Sequence, residues 1–310
     1  MNKMQLSQFV KDEALNRGFS YCGIAKARRL DEHEPFLVQW LKEGRNGTMQ
    51  YMENNFEKRL DPRLLVDGAR SIISLMMNYF PENYETYSSS LKVSKYARNM
   101  DYHVIIKNRL FDLVERLKAE TGDFNYRVFV DSAPILDRAW AVEAGIGWVG
   151  KNSMLLSRKN GSFYFLAEVV CDLDLEYNIP NKGSYCGNCT RCIDACPTKA
   201  ITSPGKLDAN RCISYLTIEF KQDIENDFKG QFNNWIFGCD ICQDVCPWNR
   251  FSIPHDISEF KSKAQWTEWT IDDWQQMDEP LFKTIFYDSA IQRAGFRKLK
   301  NSINFVTIFN

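Results

Sequence analysis

Ten cysteines carry most of the readable chemistry in this 310-residue chain, and seven of them fall into two runs. The first is Cys186-x2-Cys189-x2-Cys192-x3-Cys196-Pro197, and the second is Cys239-x2-Cys242-x3-Cys246-Pro247. Three thiolates at three-residue spacing on a tight loop can each reach one iron of a single cube. The fourth, followed by a proline that turns the chain away, points at a neighbouring cube, as in bacterial two-cluster ferredoxins. This crossing rule assigns Cys186, Cys189, Cys192 and Cys246 to one [4Fe–4S] cluster. The other takes Cys239, Cys242, Cys196 and one more thiolate, best supplied by Cys212 between the runs. Cys22 and Cys171 remain, both in apolar context, and read as small buried hydrophobes. Structural zinc prefers two separated C-x2-C pairs, and a disulfide framework belongs to small secreted domains, so neither explains these runs.

Positioning eight thiolates takes a folded frame, and the length allows roughly two domains. Hydrophobic residues at 44% and charged residues at 25% are ordinary for a globular protein, which excludes a disordered chain. The longest apolar stretch, residues 72–80, is interrupted by Ser74 and Asn78 and is too short to span a bilayer. The N-terminus carries charges where a signal peptide needs an apolar core. The expectation is a cytoplasmic protein with no membrane segment, for which a monomer suffices. A net charge of −1 argues neither for nor against nucleic acid. Two groups of basic residues stand out: Lys92, Lys95, Arg98, Lys107 and Arg109, then Arg293, Arg297, Lys298 and Lys300. Solvated helix faces are the favoured reading of both, with a basic footprint on one face as the alternative.

Apolar spacing predicts helices over 4–18, 35–44 and 101–120, the last stopping at Gly122. Strands are expected over 71–80 and 126–130, and over 153–157 and 163–172 joined by a turn at Asn160-Gly161. Pro134 sits at a plausible first helical position for a helix over 135–144, closed by Gly145. Gly145-x-Gly147-x2-Gly150 matches a dinucleotide fingerprint in letters only, because it ends a helix instead of joining a strand to one. From about residue 178 the texture turns to Gly, Asn, Cys and Pro. Residues 211–220 predict a helix carrying Cys212 between the cubes, and a Trp-rich helical tail follows.

A two-cluster wire needs an acceptor, and the segment Val130-Asp131-Ser132-Ala133-Pro134 is the best place to seek it. Asp131 follows an apolar strand and precedes a helix, a position from which side chains line clefts. Capping of that helix by Asp131 or Ser132 is an equally good reading. A carboxyl facing an apolar cavity would instead hold a proton near neutral pH and act as an acid.

Longer stretches add a resemblance. VDSAPILDRAWAVEAGIGWVGKNSMLL (130–156), YARNMDYH (96–103), CGNCTRCIDACPTKAI (186–201), RCISYLTIE (211–219) and FGCDICQDVCPWNR (237–250) closely resemble the epoxyqueuosine reductase family. The resemblance runs from about residue 5 to 305. It implies reduction of the epoxide of epoxyqueuosine at the wobble position of tRNA, through two [4Fe–4S] clusters and cobalamin. Asp131 then looks like the proton donor to the epoxide oxygen. Arg59 (in R-x-D-P), Arg98, Lys151, Asn152 and Ser153 of the GKNS turn, Ser214 and Asp240 resemble positions lining the cofactor.

Asn99 stands where the family pattern has Gly, in a turn that Asn also tolerates. Longer members continue into a C-terminal helical-repeat region, so the basic stretch around Arg293–Lys300 is expected to carry more of the tRNA grip here. The D-x-H-x2-G motif that supplies a lower histidine to cobalt is missing, since Phe36 stands where Gly is needed. Base-off cobalamin without a histidine ligand is therefore expected.

The combined expectation is an α+β protein. An N-terminal cobalamin-binding α/β sandwich-like domain (1–177) precedes a ferredoxin-like two-cluster module (178–254) and a short helical segment (255–310). An unidentified electron donor is implied. A reductive dehalogenase-like corrinoid enzyme and a plain two-cluster electron-transfer protein are the alternatives.

Overall fold

The frame is a four-stranded sheet whose central strand is apolar on both faces because helices cover both. In the computed structural model, which describes residues 1–82, 91–260 and 265–308, the strand order is Tyr21–Lys26, Ser71–Asn78, Tyr164–Cys171, Tyr126–Phe129. Every pairing in it is antiparallel. Side chains alternate across a strand. Ile73, Leu75 and Met77 therefore share a core with Val10 and Ala14 of helix Lys3–Asn16, and with Leu110, Leu113 and Val114 of helix Tyr102–Thr121. On the opposite face Ile72 packs with Ala139 and Trp140 of helix Asp137–Glu143, and Met76 packs with Ala141. Each such Leu or Ile, fully buried, contributes about 1.5–3 kcal/mol. Gly23 permits the close approach of this last helix, because a Cβ there would stand 2.2 Å from the Ala144 carbonyl oxygen.

A second core joins distant parts of the chain. The strand Trp235–Phe237 pairs in parallel with Lys92–Val93. Around it gather Ile213 and Leu216 from helix Ile213–Ile218, Trp274 and Phe282 from the tail, and Leu299, Ile303 and Val306 from helix Phe296–Ile308.

Several boundaries differ from the sequence expectation. Pro134 opens no helix: residues 131–136 form a loop, and the helix begins at Asp137 with no side-chain cap. Neither Asp131 nor Ser132 is a cap. The strand expected over 153–157 shrinks to Leu155–Leu156 and pairs with Trp148–Val149, while a single bridge joins Ser157 to Gly161. Cys212 lies at the N-cap of helix Ile213–Ile218 and not within it. The long helix is Tyr102–Thr121, started by the Asp101 side chain, which accepts from the His103 N–H.

Candidate functional site

The two cysteine runs fold into two separate quartets. Cys192 feels the charges of Cys246 and Cys186, and Cys246 those of Cys186 and Cys189. These four line a cavity of about 220 Å³ beside Trp248 and Phe251. Cys239 feels Cys212 and Cys196, and Cys242 feels Cys239, Cys212 and Cys196. Burial pushes the thiols of Cys239 and Cys242 well up, so four thiolates gathered there demand a cationic centre between them. Among the described residues no three His, Cys, Asp or Glu side chains converge on one metal ion. The spacing suits a cube with four corners better than a single zinc. Backbone N–H groups of Ser214 and Tyr215 point at the Cys212 sulfur, and the Ala200 N–H donates to Cys196 Sγ at 3.2 Å.

The inner quartet is tied to the sheet domain by a buried ion pair. Asp240, between Cys239 and Cys242, is 1% exposed. It accepts from the Ser94 hydroxyl and from the Lys95 N–H at 2.8 Å, and its Oδ2 lies 3.4 Å from Lys95 Nζ. Lys95 also reaches Asp244 at 2.6 Å. Asp240 therefore spends its oxygens within the protein, and Lys95 is no solvated helix-face residue. Phe237, two residues before Cys239, lies 6.3 Å from the Tyr96 ring, which stands 6.1 Å from Tyr102. Tyr96 feels the charges of both Asp131 and Asp240. An aromatic path thus leads from the inner quartet to Asp131.

Asp131 itself has φ +43°, rare for a residue with a Cβ, at the centre of a turn in which the Ser132 N–H donates to the Val130 oxygen at 2.6 Å. Sparsely populated backbone of this kind concentrates at functional sites. In place of a dry cavity, Asp131 has partners: Tyr102 Oη donates to Oδ2, and His103 Nε2 lies 2.8 Å from Oδ1. The other His103 nitrogen lies 2.5 Å from Asp101 Oδ1. Burial lowers the His103 value, but hydrogen bonds to Asp101 and Asp131 outweigh it and raise the net value above 6.5. Sequence reasoning gave Tyr102 and His103 no role. The signal was the adjacency Asp101-Tyr102-His103 at a helix start, which offers three polar side chains to one end of the sheet.

The other expected cofactor positions fall into two groups. Arg59 is 6% exposed. One of its terminal nitrogens donates to the Tyr51 oxygen at 2.8 Å, Nε has no hydrogen-bond partner among the described residues, and its guanidinium lies in reach of the Asp137 charge. Ser153, at φ +62°, has a buried hydroxyl without a hydrogen-bond partner among the described residues, and its carbonyl accepts from Arg138 at 2.5 Å. Tyr51 feels the charges of Arg59 and Asp131, which puts Arg59 on the Asp131 side of the molecule. The remaining residues brace the cluster region. Asn152 Nδ2 donates to the Cys242 oxygen at 3.2 Å, Lys151 donates to the Gly187 and Cys189 oxygens, and Arg98 Nε donates to the Val93 oxygen. Ser214 lies in the first turn of helix Ile213–Ile218, two residues after Cys212.

The C-terminal basic stretch divides. Lys298 is buried and Lys300 donates to the Gln275 and Met277 oxygens, leaving Arg293 and Arg297 exposed. Arg293 lies close enough to the acid network for Asp101 and Tyr102 to feel its charge.

Known proteins resemble this chain in sequence and fold. A family profile described as "Epoxyqueuosine reductase QueG, DUF1730" matches residues 59–132, from Arg59 to just past Asp131. A profile described as "4Fe-4S double cluster binding domain" matches residues 185–249, which hold all eight cysteines of the quartets. An epoxyqueuosine reductase from Cellulophaga algicola is 51% identical over 304 residues, covering 98% of this chain and 99% of that one. The Escherichia coli epoxyqueuosine reductase is 40% identical, covering 96% of this chain and 79% of its own length. A crystal structure of a selenomethionine-labelled epoxyqueuosine reductase superposes with a TM-score of 0.90 at 29% identity, over 96% of this chain and 80% of that one. Another, bound to an epoxyqueuosine-modified tRNA-Tyr stem loop, gives 0.87 at the same identity and coverage. With half its residues shared across nearly the full length of a curated relative, this chain belongs to the epoxyqueuosine reductases, a family of oxidoreductases.

Proposed function

We propose that this protein reduces epoxyqueuosine to queuosine at the wobble position of tRNA, with electrons arriving through two [4Fe–4S] clusters. The observation that carries the reading is the aromatic path from a buried thiolate quartet to an acid held in a left-handed turn, on a fold shared with a reductase solved with its tRNA stem loop. Cys186, Cys189, Cys192 and Cys246 hold the outer cluster; Cys196, Cys212, Cys239 and Cys242 hold the inner one.

Cobalamin is the acceptor in this reading, and the residues present fit it. Among the described residues Arg59 Nε and the Ser153 hydroxyl are buried without hydrogen-bond partners, and the amide-bearing rim of a corrinoid would satisfy both. Arg59, Ser153 and Ser214 would touch it, while Asn152, Arg98 and Asp240 fix the surrounding loops. When bound and reduced, cobalamin supplies a low-potential, strongly nucleophilic centre for the epoxide carbon. Both His103 nitrogens are engaged by carboxylates. His33 lies among Glu32, Glu143 and Arg28, and His255 packs on Phe260. With both of its nitrogens held, His103 has none to spare for cobalt, which supports base-off binding. Asp131 protonates the oxygen as its bond to carbon breaks, with Tyr102 fixing the carboxyl orientation through its other oxygen. Arg293 and Arg297 offer charge to the tRNA backbone.

The unit that binds the cofactor spans 1–177, the cluster module 178–254 and the helical tail 255–310, working as a monomer in the cytoplasm with a separate electron donor. Among the described residues no helix is long and apolar enough to cross a membrane. The test is anaerobic reconstitution with iron, sulfide and cobalamin, desalting, and incubation with epoxyqueuosine-modified tRNA and a low-potential reductant. Mass spectrometry of the digested nucleosides should show queuosine. Asp131→Asn should keep iron and corrinoid while lowering turnover about 10²–10⁴-fold. A fully loaded protein that yields no queuosine would refute the reading, and an undiminished Asn variant would remove Asp131 from it.

A further inference from the structure

Reducing an epoxide to an alkene breaks both carbon–oxygen bonds and forms one carbon–carbon double bond. It consumes two electrons and two protons, and the oxygen leaves as water. The clusters can supply the electrons one at a time. Asp131 holds one transferable proton, so a second must reach the same oxygen within a turnover.

We propose that His103 is the relay residue that recharges Asp131, passing a proton from Asp101 and the solvent beyond it. The proposal rests on the reading of function given above. Its geometry is a row of three groups. Asp101 Oδ1 lies 2.5 Å from His103 Nδ1, and His103 Nε2 lies 2.8 Å from Asp131 Oδ1. A proton arriving at Nδ1 frees the one on Nε2, so the ring passes one proton along the row in a turnover and is reset by tautomer exchange before the next. The row is rigid. The Tyr102 ring stacks on His103 at 4.0 Å and on Phe165 at 3.9 Å, and Asp101 accepts from the His103 N–H at 3.0 Å. The Asp101 N–H in turn donates to the Asp288 oxygen. The side chains of Asp101 and His103 are 20% and 17% exposed, against 42% for Asp131 at the reaction end.

The charged and titratable groups facing the row are these two carboxylates, Tyr102, Tyr96, Tyr51, the buried Glu168 of the sheet and Arg293 of the tail. His103 keeps its proton above the ordinary histidine range because two carboxylates outweigh its burial.

Two measurements test the relay. The first is the pH dependence of kcat for the loaded wild-type enzyme, His103→Gln and His103→Ala. The wild type should lose turnover on the basic side with a midpoint above 6.5. Gln, which can hydrogen-bond but not titrate, should abolish that limb and lower kcat about 10²-fold with KM for tRNA nearly unchanged. Added imidazole should restore part of the His103→Ala rate. A Gln variant with wild-type kcat and pH limb would overturn the proposal.

The second needs no cofactor: nitrogen-15 histidine spectra should show His103 titrating above free histidine, and moving down in Asp131→Asn. An ordinary midpoint that Asp131→Asn leaves in place would also overturn it. A wild type that yields no queuosine at any pH defeats the functional reading instead, while the spectra still decide the relay.

Discussion

Lys95 shows how far one side chain can depart from the face its sequence suggests. Its neighbours in sequence are basic, yet it is 3% exposed and its charge is held by Asp240 and Asp244, some 150 residues away. A buried ion pair is weak evidence for net stability, but removing one partner leaves the other charge stranded. Lys95→Met should therefore cost about 3–5 kcal/mol and loosen the inner cluster, since Asp240 lies between two of its cysteines. Denaturant midpoints of the loaded protein check this. A shift within the scatter of an ordinary surface substitution would mean that the Ser94 hydroxyl and Lys95 N–H alone hold Asp240.

At the scale of elements, junctions matter more than helix interiors. Strand Trp235–Phe237 hands over to the cluster loop through Gly238, at φ +67°, where a Cβ would stand 2.5 Å from the Ser94 Cβ. The Gly238 N–H also donates to the Thr217 hydroxyl at 2.9 Å. Gly238→Ala should thus displace the Ser94–Lys95 segment from Asp240. Iron analysis should show content falling towards that of one cluster, with the outer quartet still loaded; full iron content would show that the loop absorbs the strain.

Helix Phe296–Ile308 makes the opposite case, because it carries Lys298 inwards with its ammonium 5.8 Å over the Phe220 ring and, among the described residues, without a hydrogen-bond partner. Burial, helped by the nearby Lys221, lowers its value from 10.5 to about 8. Between about 8 and 10.5 the unfolded chain binds more protons, so this group makes stability rise with pH through that window. Below it the lysine is charged in both states and its burial opposes folding in full. Lys298→Met should raise Tm at pH 7, with the gain fading as pH climbs towards 10.5. Equal melting temperatures at pH 7 would contradict the assignment.

Across the whole molecule, the tail is part of the core that positions the inner cluster. Leu299 and Ile303 are fully buried against a cluster that includes Trp235, Ile236 and Phe237. Ile303→Ala should cost about 2–5 kcal/mol, and its effect should reach the clusters, whose cysteines lie 57 or more residues back in sequence. Thermal melts followed by both circular dichroism and cluster absorbance would show it. Loss of helix signal with cluster absorbance untouched would mean that the tail folds independently of the module. The same tail brings Arg293 to the acid network, so the cluster module, sheet and tail meet around Asp131.

The amino-acid sequence by itself determined the cysteine chemistry, because ligand spacing on a tight loop and a proline after the fourth thiol are local properties. The resemblance of long motifs carried the family and singled out Asp131. Periodicity located the long helix and the central strands, since an apolar face repeats within each element. Tertiary structure decided what depends on distant partners: that Asp131 is held by Tyr102 and His103 and caps no helix, that Lys95 is buried, and that residues 155–156 pair with 148–149 rather than forward along the chain. It also split the basic tail, turning Lys298 and Lys300 inwards. Burial and hydrogen-bond partners are set by what packs against a residue, and no local pattern of charge or hydropathy records that.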